Sequence, residues 1–451
     1  MNYRPDDTIA ALATPPGSGA VAIIRLSGSN ARAIGERMTG VTAEPRQAHF
    51  CEFCDETGEP VDRGLLLYFP GPRSFTGEDV VELHGHGGMV VSEMLLASTL
   101  RLGARAAEPG EFTLRAFVND KLDLAQAEGI ADLVASGSAK AARAAYRSLD
   151  GRFSERVNAL QVKLTAVRVQ LEAWLDFPDE EPALNDTSNF EQDFDDAISA
   201  LETLLSQAHE GAVLSSGLTV VIAGPPNAGK SSLLNQLSGF DAAIVAEIPG
   251  TTRDALREHL SVDGLPITVV DTAGLRDSAD PVELEGMRRT QLALEGADRL
   301  IWVTDIRSDL STELTKIREV AGEDAAATVI QNKVDLTDDK SGRIESDGVT
   351  VIRLSALTGE GIERLTEHLK ALAGYRSDAA GTFSARTRHI DALQRAEHYI
   401  RDARIQLVNT LALELAAEEL RSAQAALSEV TGEVTSDDLL GEIFSGFCIG
   451  K

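Results

Sequence analysis

The segment Gly224–Ser231 constrains the fold of this chain more than any other part of its sequence. It reads GPPNAGKS and matches the pattern G-x-x-x-x-G-K-[ST]. The apolar run TVVIA precedes it, and the helix-forming run SSLLNQL follows. Between a strand and a helix, glycines let backbone N–H groups close around a phosphate, and the helix N-terminus adds positive potential. The context therefore favours a phosphate-binding loop over a chance glycine-rich turn.

Apolar runs alternate with helical patterns from Leu218 to about Ala373, which predicts a doubly wound parallel sheet of the Ras-like type. The predicted strands are Thr219–Ala223, Ile267–Val270, Arg299–Thr304, Thr328–Gln331 and Thr350–Leu354. We assign residues 214–376 to this α/β domain.

Residues in and beside the loop have the chemistry of a magnesium–phosphate site. Lys230 can reach the β- and γ-phosphates, and the Ser231 hydroxyl can bind Mg²⁺. Either threonine of PGTTRD (249–254) can complete the Mg²⁺ shell when a γ-phosphate is present. In DTAG (271–274), Asp271 can hold Mg²⁺ through water. These motifs predict an Mg²⁺-dependent nucleoside triphosphate site.

The run NKVD, residues 332–335, predicts that the base is guanine. The Asp335 carboxylate can accept hydrogen bonds from N1 and N2 of guanine, whereas adenine would leave it unpaired. Lys333 can lie along the base, and SAL, residues 355–357, supplies a second contact on that side. Four motifs in this order, each at the end of a strand, predict GTP binding.

The group that orients water for hydrolysis does not stand at the usual position. Many GTPases carry a glutamine directly after DxxG, but this chain has Leu275, whose apolar side chain cannot orient water. Glu283 is a candidate for that role, although on sequence alone it fits a surface acid better. Asn227 is either a ligand of a monovalent cation or a residue that only shapes the loop.

Two other kinds of segment surround the α/β domain. Residues 1–118 read as a compact α+β domain. Its predicted strands are Ile9–Ala13, Val21–Leu26, Leu65–Phe69 and Val80–Leu83, and its predicted helices are Ala31–Met38 and Val90–Leu102. Helical patterns fill residues 119–213 and 377–451. They fit one helical domain interrupted by the α/β domain, or two separate helical domains.

Composition limits the partners of the chain. The net charge of −29 argues against a nucleic-acid binder, although the Arg-rich stretch Arg143–Arg156 could form a basic face. Cys51 and Cys54 form a lone CxxC without two further ligands nearby, so ordinary cysteines fit better than zinc. No apolar stretch is long enough to span a membrane and no secretory pattern opens the sequence, so we expect a cytoplasmic protein.

Four blocks outside the nucleotide motifs resemble one protein family. They are TIAALATPPGSGAVAIIRLSG (8–28), SFTGEDVVELHGHGG (74–88), PGEFTLRAFVNDKLDLAQAEGIADL (109–133) and VTSDDLLGEIFSGFCIGK (434–451). The last block is far more specific than a general GTPase motif. Across essentially its whole length, the chain resembles the MnmE (TrmE) family of tRNA-modification GTPases.

The resemblance implies a folate-binding-like N-terminal domain that dimerises, a discontinuous helical domain and an inserted G domain. Such proteins form homodimers and act on tRNA with the flavoprotein MnmG, the partner that carries the FAD. They install a carboxymethylaminomethyl-type group on carbon 5 of the wobble uridine of certain tRNAs. A tetrahydrofolate derivative of the 5-formyl or methylene type supplies the one-carbon unit, and hydrolysis needs Mg²⁺ and K⁺.

The resemblance also implies roles for single residues. Folate-contacting positions match Arg25, Glu82, Lys121 and Lys451. Mg²⁺ ligands match Ser231 and Thr252, and the glutamate that orients water matches Glu283. The implied K⁺ ligands are Asn227, Thr251 and the backbone carbonyls of Ala246 and Ile248. Motifs and resemblance together give a GTP-binding set of Asn227, Ala228, Gly229, Lys230, Ser231, Ser232, Ala246, Glu247, Ile248, Pro249, Gly250, Thr251, Thr252, Asp271, Thr272, Ala273, Gly274, Asn332, Lys333, Asp335, Ser355, Ala356 and Leu357.

The sequence also allows alternative interpretations of one residue and of the function. Cys448 is either a small hydrophobe or a reactive thiol that reaches the folate site. A GTP-dependent ribosome-assembly factor would share the G domain, but the N-terminal blocks and the ending FCIGK favour the RNA-modifying enzyme. A membrane-remodelling GTPase would need a lipid-facing segment, which the sequence does not show.

Overall fold

The computed structural model describes residues 7–176, 188–238, 257–271, 294, 297–322, 326–375, 382–433 and 437–450. Contacts divide the chain into two compact units. The first comprises residues 1–131, 153–185 and 398–451, and the second comprises residues 132–152 and 186–397. Helical segments from both sides of the G domain enter each unit, which fits a discontinuous helical domain.

A six-stranded sheet forms the N-terminal part of the first unit. Its strands are β1 (Ile9–Leu12), β2 (Ala22–Ser27), β3 (His49–Cys54), β4 (Pro60–Phe69), β5 (Val80–Gly85) and β6 (Arg105–Ala106). Their order is β3-β4-β5-β2-β1-β6, with β1 and β6 parallel and the other neighbours antiparallel. The four predicted strands are confirmed. Strand β3 was missed because its cysteines and charge obscure the alternation, and β6 because it has only two residues.

Two helices, α1 (Ala31–Thr39) and α2 (Met89–Arg101), cover one face of this sheet. On the other face, Phe112 of α3 (Glu111–Val118) packs with Ile9 and Ala11, and α4 (Leu124–Ala135) follows α3. Ile34 and Leu95, from α1 and α2, pack on Ile24 and Leu83 of the sheet. Because side chains alternate along a strand, the residues between these buried ones face away from α1 and α2. The predicted helices in this region are confirmed as α1 and α2.

The first helical segment is not one continuous element. After α4 it forms α5 (Ala139–Leu149), α6 (Arg152–Asp176) and α7 (Ser188–Ser216). Ser138 caps α5, because its hydroxyl accepts a hydrogen bond from the Ala141 N–H. The same hydroxyl donates to the Gly264 carbonyl, 2.8 Å away, and so anchors a hairpin of the G domain on this helix.

A seven-stranded sheet forms the centre of the second unit. Its strands are β7 (Leu218–Ala223), β8 (Arg257–Val262), β9 (Leu265–Asp271), β10 (Arg299–Asp305), β11 (Ala327–Asn332), β12 (Gly342–Ser346) and β13 (Val349–Arg353). Their order is β12-β13-β11-β10-β7-β9-β8, with the five central strands parallel and both edges antiparallel. The helices α8 (Lys230–Ser238), α9 (Leu310–Ala321) and α10 (Ile362–Leu372) belong to this domain.

The five predicted parallel strands of the G domain are confirmed, and the two edge strands were not predicted. Central parallel strands are covered on both faces and read as continuous apolar runs. The edge strand β12 reads GRIES, and its side chains are mostly exposed. The hydrophobic pattern therefore identified the core of the sheet and missed its edges.

The second helical segment begins in the second unit and belongs to the first unit from His398 onward. Its helices are α11 (Thr387–Thr410), α12 (Leu413–Thr431) and α13 (Asp437–Ser445). Phe444 and Phe447 pack against Leu114 and Leu124. A Cβ added at Gly110 would lie 2.6 Å from the Phe444 carbonyl oxygen, so this close approach requires glycine. The C-terminal tail is thereby held on the N-terminal domain.

An ion cluster lies at the start of α3. The Arg115 side chain is fully buried, and its guanidinium contacts carboxylates of Asp7, Glu78 and Glu111. Arg105 adds a second guanidinium that binds Asp7 and Glu111. The five groups come from three parts of the chain, at Asp7, at Glu78 and within residues 105–115, and sequence patterns did not reveal their association.

Within the residues that the structure describes, no helix is both long and apolar enough to cross a membrane. Nor do three or more His, Cys, Asp or Glu side chains gather there into a group that could hold a metal ion. Cys51 and Cys54 both lie on β3, and burial raises the pKa of the Cys51 thiol.

The buried histidine of α10 predicts an acid-sensitive G domain. Burial, with Arg343 and Arg299 nearby, lowers the pKa of His368 to about 4. In the unfolded chain the histidine binds a proton near pH 6.5, whereas in the folded domain it does so only near pH 4. The free energy of unfolding therefore decreases as the pH falls from about 6.5 to about 4. We expect a loss of about 2 kcal/mol between pH 7 and pH 5.

The measurement is urea unfolding followed by Trp302 fluorescence in a Trp174→Phe background, which leaves one tryptophan of two. His368→Gln keeps a side chain that can hydrogen-bond to the Thr328 hydroxyl, which lies 2.9 Å from the histidine. In this variant, the free energy of unfolding should no longer show the predicted loss between pH 7 and pH 5. An equal pH dependence in both proteins would contradict the assignment.

Candidate functional site

The phosphate-binding loop connects β7 to α8 through three unusual backbone conformations. Gly224, Asn227 and Gly229 have φ values of +139°, +59° and +98°. A Cβ at Gly224 would lie 2.0 Å from the Val303 carbonyl oxygen, so the loop passes directly against β10. The left-handed conformation of Asn227 accompanies an exposed side chain. The motif therefore has the tight turn that its glycines predict.

The lysine of the loop lies across it. The Lys230 ammonium donates to the carbonyls of Gly224 and Pro225, at 2.8 and 2.9 Å. Ser231 and Ser232 follow in the first turn of α8, and both are exposed. A positive charge, a helix N-terminus and two hydroxyls thus occur within a few residues, as a polyphosphate–magnesium ligand requires.

Asn332 joins the phosphate loop to the predicted base-binding loops. Its Nδ2 donates to the Ala228 carbonyl at 2.8 Å, and its Oδ1 accepts from the Ala356 N–H at 2.9 Å. The side chain is buried, and a Cβ on Gly229 would approach Nδ2 to 2.2 Å. One amide therefore sets the distance between the loop at 224–231 and the loop at 355–357.

The predicted base-reading carboxylate is held in place. Ser355 Oγ donates to Asp335 Oδ1 at 2.5 Å, while the rest of the Asp335 side chain is exposed. Leu357, further along the same loop, is 81% exposed. A fixed carboxylate with free acceptor sites can take paired N–H donors from a purine edge.

Lys333 has a partner that sequence reasoning missed. Its φ is +70°, and its ammonium lies 3.0 Å from Asp305 Oδ2 at the end of β10. Hydrogen bonds from Arg307, and next from Lys333, hold the pKa of Asp305 far below its usual range. The missed signal was the position of Asp305, since the ends of neighbouring parallel strands meet at one sheet edge.

The remaining nucleotide and metal residues are only partly placed. Asp271 ends β9 and pairs in register with Ile222, so its backbone lies beside the start of the phosphate loop. Of the proposed cation ligands, Asn227 and Ser231 are placed. Outside the described residues lie Ala246, Glu247, Ile248, Pro249, Gly250, Thr251, Thr252, Thr272, Ala273, Gly274, Leu275, Glu283 and Lys451.

A second polar site lies on the N-terminal sheet. Arg25 of β2 stands opposite Glu82 of β5 in the strand register. The Nε and Nη2 atoms of Arg25 both lie 2.9 Å from Glu82 Oε1. His84 Nε2 lies 3.0 Å from the other oxygen, Oε2. Burial opposes ionisation of Glu82, but His84 and Arg25 outweigh it and lower the pKa of this carboxyl.

The tail and two aromatic rings border this site. The Arg25 guanidinium lies 5.7 Å from the ring centre of Phe75 and 5.9 Å from that of Phe112. Its Nη1 donates to the Gly450 carbonyl at 3.4 Å, so the terminal segment reaches the arginine. The Cys448 thiol is exposed, and the Cys448 carbonyl accepts from the Gly110 N–H at 3.4 Å.

Lys121 lies next to the loop that carries Phe75. Lys121 is exposed and lies three residues after the end of α3, and its side-chain carbons lie 3.4 Å from where a Cβ on Gly77 would stand. The predicted pair Arg25 and Glu82 is thus brought into contact, with the tail beside it. His84 was missed, although its spacing of two residues from Glu82 places both on one face of a strand.

Comparison with known proteins identifies the family of the chain. The model described as "GTP-binding protein TrmE N-terminus" matches residues 8–121, and "MnmE helical domain" matches residues 124–448. The "tRNA modification GTPase MnmE" of Stutzerimonas stutzeri is 53% identical over 450 residues, covering 99% of each chain. The protein of that name from Nitrosococcus oceani is 52% identical over 448 residues, covering 99% of this chain and 98% of its own.

A solved structure, the G domain of the T. maritima FeoB iron transporter, is 28% identical. It covers 35% of this chain and 98% of its own, with a TM-score of 0.27. The strand order and the motifs described above, together with the full-length relatives, carry the assignment of the G domain. On these grounds the chain belongs to the MnmE family of tRNA modification GTPases.

Proposed function

We propose that this chain binds GTP with Mg²⁺ in the second unit and hydrolyses it, and that hydrolysis serves tRNA modification. The observation that carries the first part is the junction at Asn332, which holds the phosphate loop and the base-side loop at a fixed separation. Lys230 lies at one end of that arrangement and Asp335 at the other. A site with a phosphate-binding lysine at one end and a base-binding carboxylate at the other fits a nucleotide, whereas a general anion site would need only the lysine.

Each of this chain's own residues has a definite task in the proposed reaction. Lys230 and the backbone N–H groups of the loop bind the phosphates, and Asp335 orients the guanine. Ser231 and Thr252 would hold Mg²⁺, which neutralises phosphate charge when bound, and the exposed Ser231 hydroxyl fits that role. Glu283 would orient the attacking water, since Leu275 cannot.

We further propose a K⁺ site beside the phosphate loop. Asn227 is exposed and left-handed, so its amide oxygen is available at the outer edge of the loop. With the Thr251 side chain and the carbonyls of Ala246 and Ile248, it would supply the oxygen ligands that a hard cation prefers. A cation there would replace the positive charge of an arginine finger.

This site predicts a choice between monovalent cations. GTP turnover in KCl should exceed that in NaCl of equal ionic strength by at least about tenfold, because transition-state charge would be neutralised only by the fitting ion. Asn227→Ala should remove most of the difference while GTP affinity stays within about threefold. Equal turnover in the two salts would remove the cation assignment and leave Asn227 a loop-shaping residue.

For the first unit, we propose a tetrahydrofolate derivative of the 5-formyl or methylene type as ligand. The Glu82 carboxylate, held by Arg25, can accept the paired hydrogens of a pterin-type ring. Lys121 and the terminal Lys451 would add contacts from the loop side and the tail side. Whether the exposed thiol of Cys448 reacts with the one-carbon unit stays a prediction.

The modification itself is proposed to occur on carbon 5 of the wobble uridine of certain tRNAs, with MnmG supplying FAD chemistry. The chain would act in the cytoplasm as a homodimer. Its proposed domains are residues 1–118, 119–213, 214–376 and 377–451. Because this chain has a net charge of −29, we propose that MnmG makes most of the contacts with the tRNA phosphate backbone.

Mass analysis of the wobble uridine in cells lacking this protein tests the proposal. Loss of the carboxymethylaminomethyl-type group, restored by the wild-type chain and not by Glu82→Ala, is the expected result. A GTP-dependent ribosome-assembly factor would instead leave the nucleoside unchanged while immature subunits accumulate. That second outcome would contradict the proposed modification and leave the GTP site intact.

A further inference from the structure

The carboxylate of Glu82 has partners on two sides. Across the sheet, Glu82 pairs with Arg25 on β2 and with Leu67 on β4, and His84 follows two residues along β5. The Glu82 and His84 side chains are 14% and 25% exposed. Within the described residues, the charged or titratable groups that act on Glu82 are therefore Arg25 and His84.

Arg25 alone does not fix the plane of this carboxylate. Both of its contacting nitrogens meet the same oxygen, Oε1, rather than one nitrogen meeting each oxygen. A carboxylate held through one oxygen can still turn about its Cγ–Cδ bond. His84 Nε2 meets the second oxygen at 3.0 Å, and since an ionised carboxylate only accepts, this nitrogen carries the hydrogen.

The orientation of the plane matters for the ligand proposed above. A pterin-type ring presents two adjacent N–H donors in its own plane, and a bidentate pair forms only when both carboxylate oxygens lie in that plane. A small rotation would keep one hydrogen bond and lose the other. If both carboxylate oxygens are already fixed in the free protein, ligand binding does not have to restrict the rotation of the carboxylate, and affinity increases.

We propose that His84 is a positioning residue of the folate site: its hydrogen bond to Oε2 fixes the Glu82 carboxylate in the plane that grips a pterin-type ring. The inference rests on the proposed folate function and goes beyond it, because it assigns part of the ligand affinity to a residue that need not touch the ligand. His84 also lowers the pKa of Glu82 and so helps to keep it ionised. The pH dependence of ligand binding therefore gives a second measurement of its role.

The same motif provides a matched control. His86, two residues further along HGHGG, binds a different carboxylate, with its Nδ1 2.7 Å from Asp62 Oδ1. The His86 ring is largely exposed, and the described contacts do not join it to Glu82. Removing either imidazole breaks one histidine–carboxylate pair of the same sheet, but only the first should affect the folate site.

The test is calorimetric titration of the full chain with 5-formyltetrahydrofolate between pH 4 and pH 8. His84→Ala should weaken binding about tenfold at pH 7, the loss expected for one charge-assisted hydrogen bond. His84→Gln retains an N–H donor and should recover binding to within about threefold, and His86→Ala should bind like wild type. In His84→Ala, binding should be lost at a higher pH on acidification than in the wild type, because Glu82 then protonates more easily.

The outcomes separate this inference from the proposed function. If the wild-type chain binds no 5-formyltetrahydrofolate, the folate proposal fails and the role of His84 fails with it. If the wild-type chain binds and His84→Ala binds equally well with the same pH profile, the folate site stands and His84 is only a strand residue. Equal weakening by His84→Ala and His86→Ala would likewise overturn the positioning role, because the effect would then come from the stability of the sheet.

Discussion

Asp335→Asn should lower the affinity for GTP at least about hundredfold and admit xanthosine nucleotides in its place. The Asp335 carboxylate accepts hydrogen bonds from the N1 and N2 hydrogens of guanine. The NH₂ group of an asparagine side chain would face one of these donors, so two donors would oppose each other without an acceptor. Xanthine carries an oxygen where guanine has its amine, so the same amide can donate to it. Equilibrium titration with both nucleotides, with Mg²⁺ supplied, measures the exchange.

Two variants show whether the effect belongs to base reading. Asp338→Asn makes the same chemical change at an exposed site three residues along, and it should leave GTP affinity unchanged. Ser355→Ala removes the 2.5 Å hydrogen bond to Asp335 and should cost only about tenfold, since the carboxylate remains. An Asp335→Asn protein with wild-type preference for GTP would refute the guanine assignment.

Arg115→Met should destabilise the N-terminal domain by about 3–5 kcal/mol. The methionine keeps much of the apolar stem but leaves Asp7, Glu78 and Glu111 facing one another without the guanidinium that joins them. Arg105 continues to bind two of these carboxylates, while Glu78 loses its contact with Arg115. Removing one member of a buried ion group costs far more than a surface pair contributes.

Hydrogen exchange measures this change locally, which suits a chain of several domains. Protection of amides in β2 and α3 should fall at least about hundredfold in Arg115→Met. Arg63→Ala is the control: Arg63 pairs with Glu52 at 2.9 Å on the exposed side of the sheet, and its loss should cost less than about 1 kcal/mol. Wild-type protection in Arg115→Met would show that the cluster contributes no stability.

Much of the nucleotide site was predictable because it depends on short stretches of chain. A glycine-rich turn, a lysine and a serine at fixed spacing give the same backbone cradle wherever a strand precedes and a helix follows. The confirmed parallel strands have the same origin, since a strand buried on both faces must be apolar throughout. The edge strand β12 escaped prediction because an exposed edge imposes no such requirement. In β8 the buried residues Leu260 and Val262 alternate with polar ones, which leaves no continuous apolar run.

The contacts of the N-terminal site could not be predicted in the same way. The approach of Gly450 to Arg25 joins residues that are 425 positions apart. The resemblance to a family indicated that Arg25 and Glu82 share a site, but not that both arginine nitrogens meet one oxygen and leave the other to His84. Strand register decided that, and register follows from the packing of the whole sheet.

By itself, the sequence determined the nucleotide class, the parallel core of the G domain and the family. These properties follow from local spacing, from hydrophobic periodicity and from blocks of residues that can be recognised without coordinates. Only the tertiary structure decided which carboxylates surround Arg115, that Asn332 joins two loops, and that His84 completes the hold on Glu82. Such contacts join distant parts of the chain, and a hydrogen bond of about 3 Å depends on packing that no local pattern encodes.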